Sequence, residues 1–411
     1  MTHPIRPPAL VSCLLILLTA DPLDADETPA GAVPNPGAEA TTEAPLPPLP
    51  PITPLTKSEL DASLQRGVDH LISSQNPNGS WGGPTQTKGL NIYAPIPGAH
   101  HAFRSGASAL ALYGMLRSGD QRPETLAAID RAEAWMIKEL PRLRRADLTT
   151  TYNVWGHAYG LRALSALHQH RQEDSAKQSI LKNLAIQQLE MLERYEDVNG
   201  GWGYLDFDGF TRKPSGIPTS FTTATVLVAM HEAREVLEVA LPEKEVQRSL
   251  RSIRQQQTPD HAYVYSYNHQ YRPRVPINRP GGSLGRSQAC AAALRYFGDE
   301  AITNAILKTW LDRLILRNGW LDIARKRPVP HETHFSNSGY FYYYGHFYAT
   351  DCIAFLPKTD RTVYYQYLSK ILVSKQEKDG SWWDYPLYSY HKPYGTGYAL
   401  ATLARCRDGI E

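Results

Sequence analysis

The segment Gln75-Asn76-Pro77-Asn78-Gly79-Ser80-Trp81 returns near the other end of the chain as Gln376-Glu377-Lys378-Asp379-Gly380-Ser381-Trp382, with Gln, Gly, Ser and Trp at the same offsets. Self-similarity across that distance marks an array of structural repeats, in which each unit buries its apolar face against its neighbours. Upstream of the first copy, Val68, Leu71 and Ile72 fall at helical spacing. The expected unit is a helix whose last carbonyls are capped by Gln75, an Asn78-Gly79 turn at positive φ, and the Trp81 indole laid back over the helix end. Weaker copies that lack the spaced Gln occur at Gly200-Gly201-Trp202 and Asn318-Gly319-Trp320.

From Lys57 onward two kinds of helix alternate. Residues 58–74, 124–140, 175–195, 243–256, 300–316 and 361–375 are amphipathic and charged, whereas 105–116, 154–167, 220–231, 286–297, 347–356 and 395–404 are apolar and nearly uncharged. A helix apolar all round is buried and one with a polar stripe faces water, so strict alternation predicts two concentric layers. Helix, glycine turn and tryptophan together resemble the Gln-Trp repeat of the squalene cyclase and protein prenyltransferase superfamily, and the resemblance covers the whole body of the chain. It implies an all-α fold, an α6/α6 toroid of six outer and six inner helices. Runs such as Ala107-Ser108-Ala109-Leu110-Ala111-Leu112 suit the close inner packing that a small ring requires. The loops leading from outer to inner helices are long and aromatic, which puts the expected functional face on residues 82–104, 202–219, 258–285, 321–345 and 383–394.

Residues 1–25 carry His3 and Arg6, an apolar run from Ala9 to Leu18, and small residues at Ala20 and Ala25, the pattern of a cleaved secretory signal peptide. The run is too short for a permanent anchor. The expected address is therefore secreted or periplasmic in a bacterium, with no transmembrane segment after signal removal. Residues 26–55, rich in Pro, Ala, Thr and Glu, read as a disordered linker, leaving 56–411 as the folded domain. Cys290, Cys352 and Cys406 are an odd set in apolar contexts and read as buried free thiols. The formal net charge is +2, from 43 Lys and Arg against 41 Asp and Glu, so no nucleic-acid partner is expected.

The resemblance frames three chemistries. Prenyltransferases hold zinc with an Asp-x-Cys pair and a His; here Asp351 and Cys352 are adjacent and Gly395 stands where the His is expected. No metal and no cofactor are therefore expected, and His331-Glu332-Thr333-His334 reads as a polar loop. Class II terpene cyclases protonate an alkene with the middle Asp of Asp-x-Asp-Asp, and the nearest match is Asp206-Phe207-Asp208-Gly209, which lacks the last carboxylate. Asp208 is the candidate proton donor, with Asp206 beside it. Such enzymes also stabilise carbocations on aromatic faces, for which the chain offers Tyr263, Tyr265, Tyr267, the run Tyr340-Phe341-Tyr342-Tyr343-Tyr344, and Tyr348.

A second constellation is Asn153, Trp155, His157 and Tyr159 at the start of one inner helix, with Arg286 and His346 starting two others. Polysaccharide lyases on related toroids use Asn, His, Tyr and Arg in this way, which implies a glycan substrate. A third reading is a binding scaffold, without the Cys-Gly-Glu-Gln sequence that covalent capture through a thioester requires. The first reading is thus a terpenoid cyclase-like protein with an aromatic-lined pocket for a small hydrophobic ligand. The alternatives are a lyase-like glycan-processing enzyme and a non-catalytic scaffold.

Overall fold

The computed structural model describes residues 46–89, 97–143, 152–204, 213–215 and 217–410. The expected signal peptide, the expected linker as far as Pro45, and Asp206 and Asp208 lie outside the described residues. In chain order the helices are α1 (Lys57–Ser74), α2 (Pro97–Ser118), α3 (Pro123–Glu139), α4 (Asn153–His170), α5 (Ser175–Tyr195), α6 (Ser220–Leu237) and α7 (Glu243–Gln255). They continue as α8 (Pro280–Ser283), α9 (Ser287–Tyr296), α10 (Asn304–Leu316), α11 (Asn318–Asp322), α12 (Phe341–Ala354), α13 (Lys358–Val373) and α14 (His391–Ile410). No helix among the described residues is long and apolar enough to cross a membrane.

Helices α2, α4, α6, α9, α12 and α14 pack each against the next, and α14 returns to α2, closing an inner ring. Helices α1, α3, α5, α7, α10 and α13 surround it, so the architecture is the α6/α6 toroid. Burial follows the two sequence patterns. Every residue of α12 from Phe341 to Ile353 is buried, whereas α7 buries only Val246, Ser249, Leu250, Ser252 and Ile253. At the seam between α2 and α14 the backbones nearly touch, and a Cβ added to Gly397 would lie 2.3 Å from the Leu110 carbonyl oxygen. The body begins earlier than the sequence pattern suggests. Leu49, Ile52 and Leu55 pack against the core, and the Tyr367 hydroxyl donates to the Pro50 carbonyl, so residues 46–55 are docked and not a free tether.

Each repeat is held by its tryptophan. The indole Nε1 of Trp81, Trp202 and Trp382 donates to the carbonyl ten residues earlier, on Leu71 (2.8 Å), Leu192 (2.9 Å) and Leu372 (2.8 Å). These carbonyls lie in the last turns of α1, α5 and α13, where the regular helical donors run out. The same residues' backbone N–H groups donate to hydroxyls on the following inner helix, Ser108 (2.9 Å), Thr223 (3.0 Å) and Thr396 (3.1 Å). Each tryptophan therefore pins an outer helix to an inner one. Gln75 caps α1 through its backbone N–H, which donates to Ile72 O at 3.4 Å, while the indole and not the Gln75 side chain reaches Leu71 O. Gln75 Nε2 instead donates to Gly79 O and to Ala128 O on α3, and Gln376 Nε2 to Gly380 O and to Ser63 O on α1. The last repeat thus reaches the first outer helix and closes the outer layer.

The turns fit so tightly that glycine is required: Gly79, Gly200 and Gly380 have φ of 90°, 82° and 85°, and a Cβ on Gly79 would lie 2.2 Å from the Arg131 carbonyl oxygen on α3. Two copies differ from the sequence expectation. A fourth turn runs from Gln257 to Tyr263, with Tyr in place of Trp and His261 at φ 59° in place of Gly; Thr258 N donates to Ala262 O as Asn76 N donates to Ser80 O. Trp320 is no lock. It sits half-buried in the short helix α11 and stacks on Phe335 at 4.1 Å, with no positive-φ turn beside it.

The axis at the C-terminal ends of the inner helices is filled by charge. Arg162 Nε donates to Glu232 Oε2 (2.7 Å), Arg117 Nη2 to Glu232 Oε1 (2.6 Å) and Arg405 Nη1 to Asp351 Oδ1 (2.5 Å), with the Arg162 guanidinium 4.6 Å over the Phe347 ring. Burial pushes the Asp351 carboxyl up, but Arg405 and Arg162 outweigh it and hold its pKa below the usual value. Because Trp81, Trp202 and Trp382 make the same contacts, replacing each by Ala is expected to lower the unfolding free energy by about 3–5 kcal/mol. Trp320→Ala should cost less than about 2 kcal/mol. Urea unfolding of the four variants checks this, and a loss at Trp320 equal to that at Trp382 would contradict the assignment.

Candidate functional site

The outer-to-inner loops gather over the N-terminal ends of the inner helices and enclose a cavity of about 370 Å³. Helix α2 contributes Phe103, Ala107 and Leu110, α4 Trp155 and Tyr159, and α14 Tyr394 and Tyr398. These are i, i+4 or i, i+7 positions, which lie on one helix face. Helix α6 adds Phe221, α12 adds Phe341 and Tyr344, and the loops add Tyr152, Tyr204, His331, Tyr340, Tyr385 and Tyr390. No Asp, Glu, Lys or Arg is among the described lining residues.

The rings are held in place by one another. Trp155 stacks on Tyr159 at 5.9 Å and on Phe221 at 6.1 Å, and Tyr152 stacks on Tyr204 at 5.7 Å. Tyr152 adopts φ 66°, an unusual conformation for a bulky residue, fixed by its backbone N–H donating to the Tyr204 carbonyl at 2.8 Å. Buried hydroxyls find partners behind the wall: Tyr344 donates to Phe221 O at 2.8 Å, Tyr385 to Pro328 O at 3.0 Å, and Tyr159 meets the Tyr398 hydroxyl. Burial pushes the Tyr340 and Tyr152 phenols up to about 12. The wall is therefore uncharged near neutral pH and presents ring faces.

Of the sequence candidates, Trp155, Tyr159 and Tyr344 line the cavity, while Asn153, Tyr343 and Tyr348 are buried and do not border it. Tyr343 instead donates its backbone N–H to Asp384 Oδ2, and Tyr348 packs behind Tyr344 at 4.7 Å. The expected convergence of His157, Arg286 and His346 does not occur. His157 points between the two layers, its Nδ1 2.7 Å from Gln188 Oε1 on α5. His346 is held by the Tyr342 carbonyl at 2.7 Å and Asn318 Nδ2 at 2.8 Å. Burial lowers both imidazoles to about 4, so neither is a cation at neutral pH. Arg286 spends its donors on the Tyr263, Gly282 and Ile277 carbonyls, with its guanidinium against the Tyr265 ring and the wall residue Phe341.

The prenyltransferase metal positions are also engaged elsewhere. Asp351 belongs to the axial ion cluster, Cys352 donates to Gln288 O at 3.3 Å, and a Cβ at Gly395 would lie 2.4 Å from the Trp382 carbonyl oxygen. No group of His, Cys, Asp or Glu among the described residues is arranged to hold a metal ion. Phe103, Tyr204, Phe221, Tyr385 and Tyr390 were not singled out by the sequence reading. The legible signal was the aromatic spacing at inner-helix starts, as in Tyr394 and Tyr398.

No protein-family model and no curated relative matches the sequence. Solved structures do. The chain is similar to cellobiose 2-epimerase from Spirochaeta thermophila at 14% identity and TM-score 0.57, covering 86% of this chain and 97% of that one. It is similar to unsaturated glucuronyl hydrolase from Streptococcus agalactiae at 13% identity and TM-score 0.53, covering 86% and 93%. It is also similar to type II terpene cyclase MstE from Scytonema at 13% identity and TM-score 0.49, covering 86% and 98%. The shared property is the α/α toroid. At these identities the likeness to the epimerase and the glucuronyl hydrolase establishes the fold and leaves the chemistry to the cavity.

One acid stands directly behind this toroid's cavity wall. The fully buried Asp384 accepts from the Tyr394 hydroxyl (2.6 Å) through Oδ1 and from Tyr343 N (3.0 Å) through Oδ2. Burial raises its pKa from 3.8 to about 6, against the lowering effect of those hydrogen bonds. The folded state therefore binds the proton more tightly than the unfolded chain, and this contribution, complete below about pH 4, is lost as pH rises to about 6. The difference is on the order of 3 kcal/mol. Asp384→Asn removes the ionisation, so from about pH 4 to about pH 7 its stability should gain on the wild type by that order. Urea unfolding at the two pH values checks it, and a constant difference would show that Asp384 ionises normally.

Proposed function

We propose that the cavity binds an isoprenoid-class ligand and that the protein is a terpenoid cyclase-like toroid. The observation that carries this reading is the wall itself, ring faces and aliphatic carbons with no charged group among its described residues. Such a surface offers little to a hydrated glycan, whose hydroxyls would lose water without gaining partners. It suits an apolar chain, and its π faces can stabilise positive charge developing along a polyene. The volume of about 370 Å³ falls within the usual range of small-molecule sites.

Two acids are candidates for the initiating proton. Asp208, with Asp206 beside it, is a candidate on sequence pattern alone. Asp384 has the raised pKa that a general acid needs, and its contact with the Tyr394 hydroxyl connects it to the cavity. The glycan-lyase reading shares the toroid as its support, but its Arg and His candidates do not border the cavity.

Farnesol titrated against the full chain should quench the fluorescence of the wall residue Trp155 in a saturable, one-site manner. Ala107→Trp, which fills the cavity, should weaken binding by about tenfold or more while the protein stays folded. Saturable binding of an oligouronate with none of farnesol would overturn the proposal.

A further inference from the structure

A chain of hydrogen bonds runs from the cavity into the loop that follows α11. The Tyr204 and Tyr265 hydroxyls are 2.7 Å apart, Tyr265 and Tyr340 3.2 Å, and the Tyr340 hydroxyl lies 3.0 Å from His331 Nε2. Tyr204, Tyr340 and His331 border the cavity; Tyr265 connects them from behind. Each hydroxyl in such a row can donate only once, so when the last one donates out of the row every other bond must point the same way.

The far end sets that direction. His331 Nδ1 lies 3.0 Å from Ser338 Oγ, which can donate or accept, and closer, at 2.7 Å, to the Ser336 carbonyl oxygen, which can only accept, so the neutral ring carries its proton on Nδ1. Nε2 is then an acceptor and Tyr340 must donate to it. Tyr340 in turn accepts from Tyr265, and Tyr265 from Tyr204. The Tyr204 hydrogen is thereby committed to Tyr265, and what Tyr204 shows the cavity is an oxygen lone pair.

The arrangement is braced from two sides. His331 and Ser336 hold φ of 63° and 55° in a tight loop closed by Ser336 N to Thr333 O (2.8 Å) and His331 N to Ser338 Oγ (3.0 Å). Buried Arg286 sits 5.6 Å over the Tyr265 ring, and its charge joins desolvation in keeping His331 below its ordinary pKa. The imidazole therefore stays neutral near pH 7.

We infer that the chain Tyr204, Tyr265, Tyr340, His331 makes the polar point of the cavity a hydrogen-bond acceptor, which selects apolar ligands carrying one donor group, such as a polyprenyl alcohol. The inference rests on the apolar-ligand reading of the cavity and adds the chemistry of the ligand's head. An ether is easier to remove from water than an alcohol, so a cavity without this acceptor would favour the ether.

The test compares farnesol with farnesyl methyl ether on the full chain. Wild type should bind the alcohol about five- to tenfold more tightly, and Tyr340→Phe, which frees the row to reverse, should bring the two within about twofold. Equal affinities or a preference for the ether in wild type would overturn the inference while leaving the cavity reading intact. Binding of neither compound would overturn both. A measurement that needs no ligand is the histidine ¹⁵N spectrum of wild type at neutral pH, with the His331 signal assigned by its loss in His331→Gln. Protonation at Nδ1 is expected, and protonation at Nε2 would release the row from its fixed direction and refute the inference.

Discussion

The bond from the Trp81, Trp202 and Trp382 indoles to the leucine carbonyls at the ends of α1, α5 and α13 is the contact on which the ring depends. A helix end leaves carbonyls without partners, and a buried one must be satisfied. Here one side chain supplies the donor and fills the space between layers, and its own backbone N–H reaches the next inner helix. Satisfying a helix end and joining two layers are therefore one act. Its glycine turn then leans on the following outer helix, so each unit also sets the spacing of its neighbour, as the contact of Gly380 with Arg66 does at the closure.

This construction gives the axis two different ends. The outer-to-inner loops leave the wedges on the side where the inner helices begin, and there the tyrosines and phenylalanines stand around open space. At the other end Arg117, Arg162 and Arg405 close on Glu232 and Asp351. A buried ion cluster contributes less to stability than its short contacts suggest, because desolvation opposes it. It does fill the axis with groups that tolerate only one arrangement. The axis is thus filled by charge at one end, while at the other uncharged rings bound the cavity.

The architecture was legible because it rests on periodicity and on residues with few substitutes. The inner helices carry little charge, the outer ones much, and Gly79, Gly380, Trp81 and Trp382 recur at fixed spacing. The fourth turn was hidden by two exchanges that preserve its physics: Tyr263 fills the aromatic position, and His261 takes the positive φ that Gly takes elsewhere. Trp320 shows the opposite failure, because Asn-Gly-Trp matches the motif locally but lies within a helix that no outer-layer carbonyl completes. The site was harder to read. His157 and His346 start inner helices, as a site residue would, but one turn of a helix has faces toward the axis and toward the outer layer. Only packing against Gln188 and Asn318 shows which face each occupies. Tyr159 and Tyr344 face inward, and nothing in their immediate sequence distinguishes them from Tyr343.

Hydrogen exchange of the three indole protons tests most directly the claim that equivalent wedges hold a rigid ring open at one end. If the wedges are equivalent, the Nε1 protons of Trp81, Trp202 and Trp382 exchange only when the whole toroid unfolds, with one common protection equal to the global stability. An indole that exchanges much faster than the other two, through local opening of its repeat, would contradict the account.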